Sequence, residues 1–249
     1  MLGRLAIFEF RMYFIPGVFG IISFGLISKI GFGYDLVNLS SAGDLTQSFL
    51  LVFSSYILGQ FLQSVAHGTV LLGVAFSPEQ RLKNAFWDGC YPSELMLFPG
   101  SRLINQISRQ RILERLGNQN VLNASDIQNL SGAVCKPGQT AAQSAFFYLL
   151  AKYSEKETSG VKTAESYYHM LKGLSIVSAV AFLITSASSA YWALSLTPFA
   201  ASWPQTAHMR VGYILPLIFF LLWRVFRYRC RGAGEGFARQ VFLSALLDP

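Results

Sequence analysis

From Phe49 to Phe76 the chain carries no Asp, Glu, Lys or Arg. A helix rises about 1.5 Å per residue, so about 20 apolar residues cross the roughly 30 Å of hydrocarbon in a bilayer. A run of this length therefore predicts a membrane span, yet it contains Tyr56, Gln60, Gln63 and His67. An amide left alone in hydrocarbon costs several kcal/mol, so such residues must look at protein or at water. On a helical wheel at about 100° per residue the four side chains share an arc of about 60°. They form the candidate stripe, either lining a pore or bonding one helix to another.

Three more segments pass the same test, at 12–30, 173–196 and 207–226, with the charge-free run extending over 48–76. Pro16 falls in the first turns of the first, where a missing N–H is tolerated. None of the four holds an Asp or Glu, so none offers a carboxylate for an intramembrane proton relay. Composition agrees: 13% of residues are charged, against about 25% in a soluble domain. The expected fold is all-α, a polytopic integral membrane protein of four transmembrane helices, with a helical cytoplasmic domain between the second and third.

Orientation follows from the basic residues. Of the 20 Lys and Arg, only Lys29 and Arg210 fall on the side opposite the termini. Both termini and the long central loop are then cytoplasmic by the positive-inside rule. Arg224, Arg227, Arg229 and Arg231 form the juxtamembrane basic cluster after the fourth span. The net charge of +7 is accounted for by topology, so no nucleic-acid partner is expected. The first run lacks a small-x-small cleavage site and reads as an uncleaved signal anchor, in a multi-pass protein of a plasma (inner) membrane.

These signals divide the chain into 1–76 with the first two spans, a cytoplasmic helical domain at 77–171, the last two spans at 172–226, and a cytoplasmic tail helix at 227–249. Helix starts are expected at SPEQ (Ser77) and at TAAQ (Thr140), which repeat capping-box spacing. Ser101 is a candidate cap for SRLINQISRQRILERL, with Gly117 closing that helix. From Thr140, the residues Ala142, Ala145, Phe146, Leu149 and Tyr153 recur at helical spacing and should be buried. VKTAESYYHMLKGLSIVSAV has no breaker and should continue as one helix into the third span. GAGEG at Gly232 reads as a flexible connection. Beyond it, GFARQVFLSALL sets Phe237, Val241 and Ala245 on one face, expected to dock on the cytoplasmic domain.

Three short stretches, YILGQFLQ, ESYYHMLKGL and FARQVFLSAL, resemble a set of bacterial four-span membrane proteins that share YxLG-xx-LQ, an amphipathic lead into the third span and a closing FARQVFxxxL helix. The resemblance covers about a fifth of the chain. It implies the four-span architecture and brings no activity with it.

The third span offers a complement to the stripe. Ser175, Ser178, Ser186 and Ser189 share one face, and small residues let helix backbones approach closely. His169 and His208 are expected on the cytoplasmic and outer sides, away from His67, so no metal site is expected. Cys90, Cys135 and Cys230 have no C-x-x-C spacing and read as reduced structural thiols. The N-x-S/T tripeptides at Asn38, Asn123 and Asn129 read as chance. No nucleophile elbow, zinc-protease motif, Walker A loop or dinucleotide fingerprint occurs, so no catalytic residue and no cofactor is assigned.

The function expected on these grounds is a homo-oligomer that forms or gates a membrane pore under control of its cytoplasmic domain, an arrangement suited to a membrane-disrupting effector, for example in phage defence. The alternatives are an anchor that holds a cytosolic protein partner at the membrane, and a transporter or intramembrane enzyme. Membrane lipids are partners in every case.

Overall fold

The computed structural model describes residues 7–29, 45–66, 96–99, 101–132, 140–154, 160–195 and 214–247. Among these residues the secondary structure is helical, with no strand. A π-helical turn, Phe10–Phe14, leads into α1, Ile15–Ile27. Then come α2 (Leu45–Ala66), α3 (Gln106–Asn118), α4 (Ala124–Leu130), α5 (Thr140–Tyr153), α6 (Val161–Ser195) and α7 (Ile214–Leu247). The chain divides into two units, 1–67 with 169–230, and 68–168 with 231–249. The boundaries fall inside α6 and α7, each of which supplies residues to both units.

Among the described residues two helices are long and apolar enough to cross a membrane, by length and composition, over Ile7–Ile27 and Val161–Tyr191. Of the apolar windows that qualify them, 33% and 50% of the residues are buried. The apolar part of α2, Ser48–Ser64, is shorter than a full span. At the expected fourth span, the described part of α7 gives apolar residues from Ile214 to Trp223 and then meets Arg224. The described residues thus supply two candidate spans where the sequence predicts four. Residues 67–76 and 207–213, which complete the second and fourth expected spans, lie outside the described residues.

In the first unit, α1 and α2 pack with backbones in close contact. A Cβ on Gly17 would fall into the Ser55 carbonyl, and one on Gly59 into the Tyr13 carbonyl, so only glycine permits this approach. Ile27 of α1, Ala181 of α6, and Leu215 and Phe219 of α7 form a second contact. The Phe182 ring stacks on Trp223 and tilts against Phe220, with centroids 6.5 and 5.4 Å away.

The second unit has its own core. Met96, Leu97 and Phe98 pack with Ile112 and Leu116 of α3, Leu130 of α4, Ala145, Phe146 and Leu149 of α5, and Val241 and Phe242 of α7. Ala142, Ala145, Phe146, Leu149 and Tyr153 are all buried, as their spacing requires. The closing segment of α7 belongs to this core through Phe237, Val241 and Ala245. Phe146 meets Phe237 and Phe242 with ring centroids 5.7 and 6.0 Å apart. The Arg115 guanidinium donates to the Ala245 carbonyl, one of the terminal carbonyls that α7 cannot satisfy itself.

The caps depart from expectation at two places. Helix α3 starts at Gln106, not near Ser101, because the Asn105 side chain accepts the Ser108 N–H at 2.7 Å; Ser101 Oγ accepts only from Leu103 N, in the turn before. Gly117 is inside the helix, and the left-handed residue after it is Asn120, at φ 56°. Asn123, read as a chance glycosylation match, forms a capping box with Asp126 at the start of α4. Thr140 begins α5, and Ser77 lies outside the described residues.

GAGEG is not a flexible connection but helix, within the unbroken α7. Arg231 and Glu235, 3.6 Å apart at i, i+4, bracket Gly232 and Gly234 with partly exposed side chains.

Candidate functional site

Pro16 has no N–H to offer the carbonyl four residues back, that of Met12, and its ring crowds the same place. The chain answers with the π-helical turn at Phe10–Phe14, a common companion of a helix irregularity. The Met12 carbonyl accepts a hydrogen bond from Gln63 Nε2 of α2 at 3.1 Å. The same nitrogen donates to the His169 carbonyl of α6 at 2.6 Å. One amide therefore joins three helices. Gly173, one turn after His169, completes the junction: a Cβ there would sit 2.8 Å from Pro16 Cβ and 3.1 Å from Gln63 Nε2. In low-dielectric surroundings each such bond contributes about 0.6–2 kcal/mol.

The stripe expected on α2 divides. Gln63 is buried, while Gln60, one turn earlier, is exposed, so the two amides do not share surroundings. Tyr56 is half-buried, its ring edge-on to Tyr13 with centroids 5.6 Å apart. His67 lies outside the described residues. The buried face of α2 is Ser55, Gly59, Leu62 and Gln63, turned by roughly 80° from the expected stripe. Gln63 stands at the edge of that face, and its long side chain reaches in.

On α6, Ser175 and Ser178 are buried and Ser186 and Ser189 half-buried. Ser178 Oγ donates to the Leu174 carbonyl, four residues back along its own helix, at 2.9 Å. The partner that α6 offers Gln63 is instead the backbone at His169. His169 belongs to the same unit as Gln63 and supplies that acceptor through its backbone carbonyl.

The basic cluster continues α7 as helix. Arg224, Arg229 and Arg231 are exposed, and Arg227 lies over the Trp223 ring at 5.7 Å. Cys230 is buried and not in a disulfide; Cys90 and Cys135 lie outside the described residues. Burial pushes the Cys230 thiol up to about 12, opposed by the charge of Lys172. It is therefore protonated at neutral pH and a poor nucleophile. Among the described residues no group of three His, Cys, Asp or Glu is placed to hold a metal ion.

No family model, curated protein or solved structure matches this chain. What the chain can do is therefore read from its own geometry. The junction at Gln63 is a structural tie, with its amide nitrogen committed to two carbonyls. The residue left facing outward on an apolar helix is Gln60.

Sequence reasoning missed the glycine contacts. The signal was present as Gly17-x-x-Gly20 on α1 and Ser55-x-x-x-Gly59 on α2, small residues at one-turn spacing in apolar helices.

Proposed function

We propose that this chain is a four-span membrane protein whose copies assemble in the bilayer and form or gate a pore, with the domain at 77–171 on the cytoplasmic side receiving the signal. The observation that carries the membrane part of this reading is the outer face of α2. Phe49, Leu50, Val52, Phe53, Ile57 and Phe61 are all exposed there, Phe49 to 68%. So large an apolar face on one helix is a surface for lipid or for other protein, not for water. Leu217, Leu221 and Val225 give α7 the same character. The assembly part is supported by Gln60, an amide on that apolar face which hydrocarbon would leave unsatisfied.

Planar-bilayer recording of the purified full chain tests the reading. Discrete conductance that changes with Gln60→Leu is expected. An oligomer that stays silent at every voltage would remove the pore.

A second reading, an anchor that recruits a cytosolic protein, is favoured by Ile107 of α3 and Phe147 of α5, exposed to 65% and 63% on the second unit. Its test is cross-linking in cells. A soluble protein captured by the native chain but not by Ile107→Ser or Phe147→Ser would support it, and an identical capture pattern would count against it.

A further inference from the structure

We infer that the outer face of α2 around Gln60 is the seam between two copies of this chain, closed by the two Gln60 amides bonding to each other. The inference rests on the proposed membrane assembly and names the contact that builds it. Phe53, Ile57, Gln60 and Ser64 are all exposed and follow one another at spacings of 4, 3 and 4 residues, the repeat of a seam along which two helices pack. Gln60 lies within the charge-free run 49–76, which the proposed reading sets in the bilayer, where lipid offers an amide no hydrogen bond. Its side chain has no hydrogen-bond partner among the described residues, whereas Ser64 Oγ is already satisfied by the Gln60 carbonyl at 3.0 Å.

The occupant follows from the chemistry of the amide. A glutamine side chain is both donor and acceptor, so two of them related by a two-fold axis satisfy one another with a pair of N–H···O=C bonds. Lipid tails offer neither group. An unrelated partner would have to bring its own polar residue to the same depth, while a second copy brings one by construction. Gln63 shows the alternative within the same helix: its amide nitrogen is taken by Met12 and His169 of its own chain and is not available to a neighbour. Among the described residues no such acceptor is presented to Gln60.

Cysteine cross-linking of the full chain in its native membrane tests this. In a background with Cys90, Cys135 and Cys230 changed to Ser, Phe53→Cys, Gln60→Cys and Ser64→Cys are expected to form disulfide-linked dimers on oxidation, and Ser55→Cys is not. In the chain with its native cysteines, Gln60→Leu should raise the concentration at which the detergent-solubilised protein assembles by about tenfold or more. Gln60→Asn, which keeps the amide, should recover part of that loss. Cross-links along a different face, with assembly indifferent to Gln60→Leu, would overturn the seam while leaving a membrane oligomer in place. A Gln60→Cys adduct to another protein would overturn the second copy as occupant. A native chain that is monomeric at all concentrations would overturn both the seam and the assembly on which it rests.

Discussion

Gln63 repairs what Pro16 takes away: the carbonyl of Met12, denied the N–H that a helix would supply from position 16, receives the Gln63 amide 3.1 Å away. Because the same nitrogen also holds the His169 carbonyl, substitution should loosen three helices together. Gln63→Leu is expected to lower stability by about 1–4 kcal/mol, the sum of two bonds in an apolar setting. Gln60→Leu should cost less, because the Gln60 side chain holds no bond among the described residues. Denaturation of the purified chain in mixed micelles, followed by circular dichroism, measures both; equal losses would show that the two amides are equivalent.

The glycines of the first unit and those of GAGEG should respond in opposite directions to the same change. Gly59→Ala drives a methyl group into the Tyr13 carbonyl, and overpacking of this kind costs about 1–3 kcal/mol or more. At Gly232 and Gly236 an added Cβ meets nothing within 4 Å. There, Gly→Ala should stabilise by about 0.4–1 kcal/mol, since alanine restricts the unfolded chain and suits a helix. Melting temperatures of the single variants decide it, and a destabilising Gly232→Ala would mean that the helix must open at GAGEG.

How much of this was legible depends on the scale of the feature. The apolar runs, the helix over VKTAESYYHMLKGLSIVSAV and the buried positions Ala142, Ala145, Phe146, Leu149 and Tyr153 follow from periodicity, which the chain carries locally. The face of α2 did not, because a wheel weights polarity. It placed Gln60 and Gln63 together, while packing was decided by Ser55 and Gly59 fitting against α1. Nor did periodicity reveal which carbonyl an amide would meet, since Met12 and His169 are remote from Gln63 in sequence. At α3, Ser101 was the expected cap, but the turn after it buries Ile104 and the Asn105 side chain caps the helix instead.

In the second unit, Arg109 is buried and donates from Nε to the Leu97 carbonyl at 2.6 Å and from a terminal nitrogen to the Leu130 carbonyl at 3.0 Å. The fork of the guanidinium reaches both, which a lysine ammonium cannot do with the same geometry. Arg109→Leu should destabilise this unit by about 3–6 kcal/mol, because bonds to a charged donor are worth about 1.5–3 kcal/mol each and the carbonyls remain buried. Arg109→Lys should recover less than half. Hydrogen exchange of α3 and α4 in the full chain reports the change, and unaltered protection in Arg109→Leu would contradict the assignment.

Cys230 makes stability sensitive to alkaline pH. Its folded value, raised by burial to about 12 from the ordinary 9.0, means that the folded chain holds the thiol proton more tightly than the unfolded chain does. The resulting contribution is fully present below pH 9 and is lost as pH rises from about 9 toward 12. The fall in stability over that window should be steeper in the native chain than in Cys230→Ser, and maleimide should leave Cys230 unmodified in the folded protein at pH 7. Equal slopes with rapid labelling would show an accessible thiolate.

Multi-angle light scattering of the detergent-solubilised full chain tests most directly whether copies meet in the bilayer. A protein mass that is a whole multiple of 27.6 kDa and falls on dilution or with Gln60→Leu is the expected result. A mass of 27.6 kDa at every concentration, in mild detergent and in lipid nanodiscs alike, would contradict it.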